Sequence, residues 1–225
     1  MKIRRTLASA AAGAVLIATA LTGVTAAQAS ASAPTSAKVT STKVGTKPLS
    51  AVLAPYAIKW DTNWNDYNIV THAVFAVLKA KPKSAVGVLA DGSVSLTAFI
   101  PNDRAFQILV KQITGKHITT EAGVFTAVTT LGIPTIEKVL LYHVVPGATI
   151  TAAMALKSNG ANLKTALGST IHVAVYHGPS ISLWDKDPYL RNPRVILSQV
   201  NINEGNKQIA HGIDRVLLPL PIKPV

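Results

Sequence analysis

The chain pairs an export-type N-terminus with a complete lack of cysteine, so whatever folds must be held by a hydrophobic core without covalent staples. Lys2, Arg4 and Arg5 precede an apolar run from Leu7 to about Val24, and small residues close the segment at Ala27-Gln28-Ala29. This is the pattern of a signal peptide over residues 1–29, cleaved after Ala29. The competing reading is a retained signal-anchor helix, but the run ends on an A-x-A site and not on a charged stop. No later stretch is apolar for long enough to span a membrane, so no integral span is expected in the mature chain. Disulfides, a lipid-modified N-terminal cysteine, thiolate metal sites and a cysteine nucleophile are excluded outright. The 196 residues from Ser30 to Val225 fit one domain, and a hydrophobic content of 48% supplies the core.

Without Lys2, Arg4 and Arg5, the 22 basic residues fall to 19 against ten acidic ones, a net charge of +9. That balance favours an acidic partner: a cell-surface or extracellular polymer, an anionic glycan, or another protein. A solvated surface whose charge serves solubility is the alternative. Nucleic acid is not expected as a partner, because the Lys and Arg are scattered singly and no basic stripe interleaves with aromatics. The chain is expected to be a monomer.

Residues 30–48, rich in Ser, Thr, Ala and Lys, read as a flexible spacer. Residues 49–64 carry Val52, Leu53, Tyr56, Ile58, Trp60 and Trp64, which suits an extension packed on the domain better than an exposed contact surface. From Tyr67 to Leu78, apolar residues recur at three- and four-residue spacing and predict a helix that Lys81-Pro82-Lys83 ends. A turn at Asp91-Gly92 leads to a strand over Val94–Ile100; Asn102 or Asp103 then caps a helix that buries Phe106, Leu109 and Val110. Further helices are expected near Thr120-Glu121, near Thr135-Ile136 up to a stop at Pro146-Gly147, and over Thr151–Lys157. Strands are expected over Thr170–Tyr176, Ile181–Trp184 and Val195–Asn201. Helices first and strands later point to an α+β domain, in a single copy.

Three segments, in order, resemble the boxes of the fasciclin-like domain family. Thr97-Ala98-Phe99-Ile100-Pro101-Asn102-Asp103-Arg104-Ala105-Phe106 resembles the first, Leu140-Leu141-Tyr142-His143-Val144-Val145-Pro146-Gly147 the central Tyr-His box, and His211-Gly212-Ile213-Asp214-Arg215-Val216-Leu217-Leu218-Pro219 the closing box. The resemblance assigns the domain to residues 65–221 and implies a compact β-sandwich or wedge of about seven strands flanked by short helices. Phe99, Pro101, Asn102, Asp103, Phe106, Tyr142, His143, His211 and Asp214 become structural residues of the boxes. Phe99 and Phe106 are expected to share one core, Tyr142 and His143 to tie off helix carbonyls, and Asp214 to hold backbone donors. The sequence departs from the family at Asn206-Lys207-Gln208-Ile209-Ala210-His211, which has one extra residue and no Gly after the Asn, so the turn entering that strand must differ. Val200-Asn201-Ile202-Asn203-Glu204-Gly205 lacks the acidic-hydrophobic motif of animal members, so no integrin site is carried over.

The six histidines form no HExxH or other compact ligand set, and no GxSxG elbow or glycine-rich phosphate loop occurs. No metal, cofactor or catalytic residue is therefore nominated, and the chain is read as a non-enzyme. Asp185 and Asp187 with Asn192 lack calcium-loop spacing and read as a polar turn. The stretch from Asp185 to Pro193 is longer than a hairpin needs, and Trp184, Asp185, Asp187, Tyr189 and Arg191 form a candidate contact loop, with an inert insertion as the alternative. The resemblance implies a secreted adhesion or matrix-interaction module, extracellular and either free or wall-associated. Two other classes remain open: an exported polysaccharide hydrolase, which needs two facing carboxylates or a perturbed histidine, and a small-ligand carrier, which needs an apolar cavity.

Overall fold

The computed structural model describes residues 43–225; the signal peptide expected over residues 1–29 and most of the expected spacer lie outside the described residues. Six α-helices and six strands are seen among them. In chain order the helices are α1 (Leu49–Leu53), α2 (Asn68–Ala80), α3 (Asp103–Thr114), α4 (Glu121–Thr129), α5 (Ile133–Tyr142) and α6 (Ala152–Ala155). The strands are β1 (Leu96–Pro101), β2 (Val144–Pro146), β3 (Asn162–Lys164), β4 (Thr170–Tyr176), β5 (Ser180–Trp184) and β6 (Gln208–Ile213). One sheet has the order β2-β1-β6, the other β3-β4-β5.

Local chemistry sets most element boundaries. The Asn102 side chain accepts from Ala105 N at 3.0 Å and caps α3, while Gly115, at φ 70°, ends it. Thr120 caps α4 through Gly123 N, and Thr151 caps α6 through Met154 N. Helix α5 starts at Ile133, ahead of the expected Thr135, because Pro134 suits a first turn whose N–H groups lack partners.

Two parts of the architecture differ from the expectation. The helix read as continuing to Pro146 ends at Tyr142, and Val144–Pro146 pairs antiparallel with Leu96–Ala98. Three apolar residues carry no periodicity that separates a strand from a last helical turn. The strand expected over Val195–Asn201 does not form: Val195 makes an isolated bridge to Ile213, and Leu197–Gln199 is a 3-10 turn. Six strands thus form among the described residues, against about seven expected.

Strand β1 is buried on both faces and divides the core. Leu96, Ala98 and Ile100 face a helical cluster with Phe106, Leu109 and Ile136, whereas Phe99 faces a cluster between the sheets with Tyr142, Ile171, Leu183 and Leu217. Phe99 and Phe106 thus enter separate cores, which corrects the expectation of one. Alternate residues of a strand point to opposite faces, and Phe99 has the opposite parity to Ala98 and Ile100. Strand β1 pairs in parallel with β6, Leu96 opposite Gln208 through Pro101 opposite Ile213, so the first and closing boxes lie side by side.

The N-terminal segments are bound to this frame. Leu49 and Leu53 are buried in the helical cluster, with Tyr56, Trp60 and Trp64 packed on it. Gly45 N donates to Gly205 O at 2.8 Å, Lys207 N to Gly45 O at 3.0 Å, and Lys47 N to Asn206 Oδ1 at 2.9 Å. The altered turn before β6 is therefore what receives residues 45–47. Asn201 and Asn203 take positive φ there, a conformation that asparagine tolerates better than most residues.

Candidate functional site

The box residues are mostly internal ties. His143 is buried at the end of α5: its Nδ1 lies 2.7 Å from Val139 O, and its Nε2 accepts from Leu217 N at 3.0 Å. One donor and one acceptor define a neutral ring, and burial lowers its pKa to about 4. His211 repeats the arrangement, with Nε2 at 2.8 Å from Ile150 O and Nδ1 accepting from Asn201 N at 3.3 Å; burial lowers its pKa too. Tyr142 does not tie off its own helix. Its hydroxyl donates to Thr170 O at 2.9 Å, joining α5 to the second sheet, and burial raises its pKa to about 12.

The acidic box residues behave alike. Asp103 is buried and accepts from Asn68 N at 3.0 Å and Ile69 N at 2.7 Å, so it caps α2 from the first turn of α3. Burial, and after it the adjoining Asp66 carboxyl, push its carboxyl upward. Asp214, half-buried at a sheet edge, accepts from Arg194 N at 2.7 Å. Pro101 ends β1 and lines an apolar cavity with Phe106, Ile136, Leu140 and His143. That cavity holds about 80 Å³, well short of the roughly 300 Å³ at which small-ligand pockets begin.

Sequence reasoning missed Gln208. It is fully buried; its Oε1 accepts from Leu49 N at 2.8 Å, and its Nε2 donates to Val88 O at 2.8 Å and Asp91 O at 2.7 Å. Its place at the altered start of the closing box was the available signal.

The candidate contact loop separates into two sets of residues. Asp187 is buried and accepts from Tyr189 N and Leu190 N, both at 2.7 Å, and from Ile222 N. Asp185 accepts from Leu218 N at 2.8 Å and Asp187 N at 2.9 Å, and burial raises its pKa to about 6. These carboxylates hold the loop and the C-terminal segment together. Trp184, Tyr189 and Arg191 face outward, Trp184 at 45% and Tyr189 at 52% exposure.

Trp184 belongs to a larger surface. Of the residues of β4 and β5 that face away from the inter-sheet core, His172, Tyr176 and Trp184 reach solvent, whereas Ala174 and Ser182 between them are covered. The register sets Asn162, His172 and Trp184 in one row across β3, β4 and β5. His172 Nδ1 is 3.2 Å from Asn162 Oδ1, and the His172 and Trp184 rings are 5.3 Å apart. Lys164 and Tyr176, the latter 48% exposed, stand on the same face, and exposed Arg194 bridges to Ser182 beside them. Flat aromatic area with cationic and amide groups around it suits stacking and anion contact.

A cysteine-free α+β module of two sheets and a helical flank is the class that these features define. Residues 70–219 match the family model of the fasciclin domain, and the chain belongs to that family. A solved pair of FAS1 domains from the insect cell adhesion molecule fasciclin I is similar in fold, with a TM-score of 0.52 and 18% identity. The match covers 78% of this chain and 52% of that one, so the chain spans about half the length of the pair. A comparison with curated proteins found no match. Fasciclin domains are associated with cell adhesion and binding. Among the described residues, no single helix is long and apolar enough to cross a membrane.

Proposed function

We propose that this protein is exported after cleavage at Ala29 and acts outside the cell as a non-catalytic adhesion module. It binds an acidic polymer, an anionic glycan of the cell surface or matrix, on the outer face of the β3-β4-β5 sheet. The observation that carries this reading is the row Asn162–His172–Trp184, open to solvent and bordered by Lys164, Tyr176 and Arg194. Charge supports it: Asp103, Glu121 and Asp187 are buried, and Glu137 and Asp214 are paired with Lys81 and Arg215, so few acids offset the basic surface.

The hydrolase alternative is less well supported. Carboxylates do come together, but Asp103 has both oxygens on backbone donors and Glu121 is only 1% exposed, so neither offers a proton to a polysaccharide. The carrier alternative is less well supported too, because the apolar cavity behind Pro101 holds only about 80 Å³.

The test is binding of the mature chain to heparin and hyaluronate across a salt series. Affinity should fall steeply between about 50 and 200 mM salt, as expected for exposed charge contacts. Binding that is absent, or present but insensitive to salt, rejects the proposal.

A further inference from the structure

Four of the ten acidic residues of this basic chain meet at one place. Asp61 and Asp66 bound the turn between the N-terminal extension and α2, Glu121 is the first residue of α4, and Asp103 lies behind Asp66. Asp61, Asp66 and Glu121 each bring a carboxylate oxygen within 4.8 Å of the other two. Among the described residues no Lys or Arg forms an ion pair with any of the four.

Each side chain uses one oxygen to hold the turn. Asp61 Oδ1 accepts from Asn63 N at 2.7 Å, Asp66 Oδ2 from Asn63 Nδ2 at 3.2 Å, and Glu121 Oε2 from Asp61 N at 3.0 Å. The second oxygen is free where it matters most. Glu121 is 99% buried, yet its Oε1 has no hydrogen-bond partner, and neither has the buried Asp66 Oδ1. Asn68, two residues past Asp66 and equally buried, leaves its Oδ1 unpartnered as well. Buried carboxylate oxygens facing like charges without a donor are costly, and a cation relieves both the desolvation and the repulsion.

We propose that Asp61, Asp66 and Glu121 form a binding site for a hard divalent cation, calcium. All the donors are oxygens, which excludes a preference for soft metals. Calcium–oxygen distances of about 2.3–2.6 Å place opposite ligands roughly 4.6–5.2 Å apart, so a 4.8 Å cluster matches one coordination sphere, with water completing it. The positive end of α4 opposes the ion with about half a charge, against three carboxylates. The ion joins the end of the N-terminal extension to α4, and so couples the docking of residues 49–64 to extracellular calcium.

The full mature chain, stripped with EDTA, is titrated with calcium chloride by calorimetry and by the fluorescence of Trp60 and Trp64, which flank Asp61. One saturable site with a Kd of about 10⁻⁴–10⁻³ M is expected, the range of extracellular modules. Asp61→Asn should weaken it by about tenfold or more, Glu121→Gln should abolish it, and Glu204→Gln should leave it unchanged. Should Glu121→Gln fail to fold, the exposed Asp61→Asn variant still decides. No uptake at about 10 mM calcium, unchanged affinity in Asp61→Asn, or tighter binding of magnesium than calcium overturns the assignment.

Discussion

The backbone N–H of Leu217 donates to Nε2 of His143 at 3.0 Å, across 74 residues of chain. The closing box is thereby hooked onto the end of α5, and the hook works only while the ring is neutral. His143 titrates near 4 in the fold and near 6.5 when unfolded, so the unfolded chain binds more protons between these values. Its contribution is complete above about pH 6.5 and is lost as pH falls toward 4, roughly 3 kcal/mol in all. Asp185, raised to about 6, acts in the opposite sense, so the readout is a difference. Urea denaturation from pH 7 to 4 should show His143→Gln losing less stability on acidification than wild type; equal slopes would refute this.

Gln208 satisfies Leu49 N, Val88 O and Asp91 O from a position with no solvent access. Gln208→Leu keeps the volume and strands all three groups. A loss of about 2–4 kcal/mol is expected, seen as a lower denaturation midpoint.

A Cβ on Gly92 would stand 1.7 Å from Thr46 O. Backbone cannot yield at that distance, so Gly92→Ala should expel residues 43–48 from their place against the Asn203–Lys207 turn. Limited trypsin digestion should then cut at Lys43 faster than in wild type, with the domain left intact.

Trp184 and Tyr176 sit on the outer sheet face and take no part in either core cluster. Trp184→Ala with Tyr176→Ala should reduce affinity for anionic glycan about tenfold or more while the melting temperature stays within a few degrees. Unchanged affinity would move the contact elsewhere.

Much of this protein is written locally. Caps at Asn102, Thr120 and Thr151, the breaks at Lys81-Pro82 and the left-handed Gly160 depend on residues within one turn of each other, and the expected elements stand beside them. The three boxes carried the family for the same reason. What tertiary structure decided is long-range. The parallel pairing of β1 with β6 joins segments more than a hundred residues apart, and it set Phe99 and Phe106 in different cores. Asp185 and Asp187 looked like an exposed polar loop because sequence shows only their neighbours, whereas their partners, Leu218 and Ile222, lie more than 30 residues away. The meeting of Asp61, Asp66 and Glu121 has the same origin: helix packing brings together carboxylates that no spacing rule connects. Sequence alone determined a cysteine-free α+β chain with fasciclin boxes. Folding decided which polar groups turn inward as ties, because a buried polar atom must find its partner wherever the chain places one.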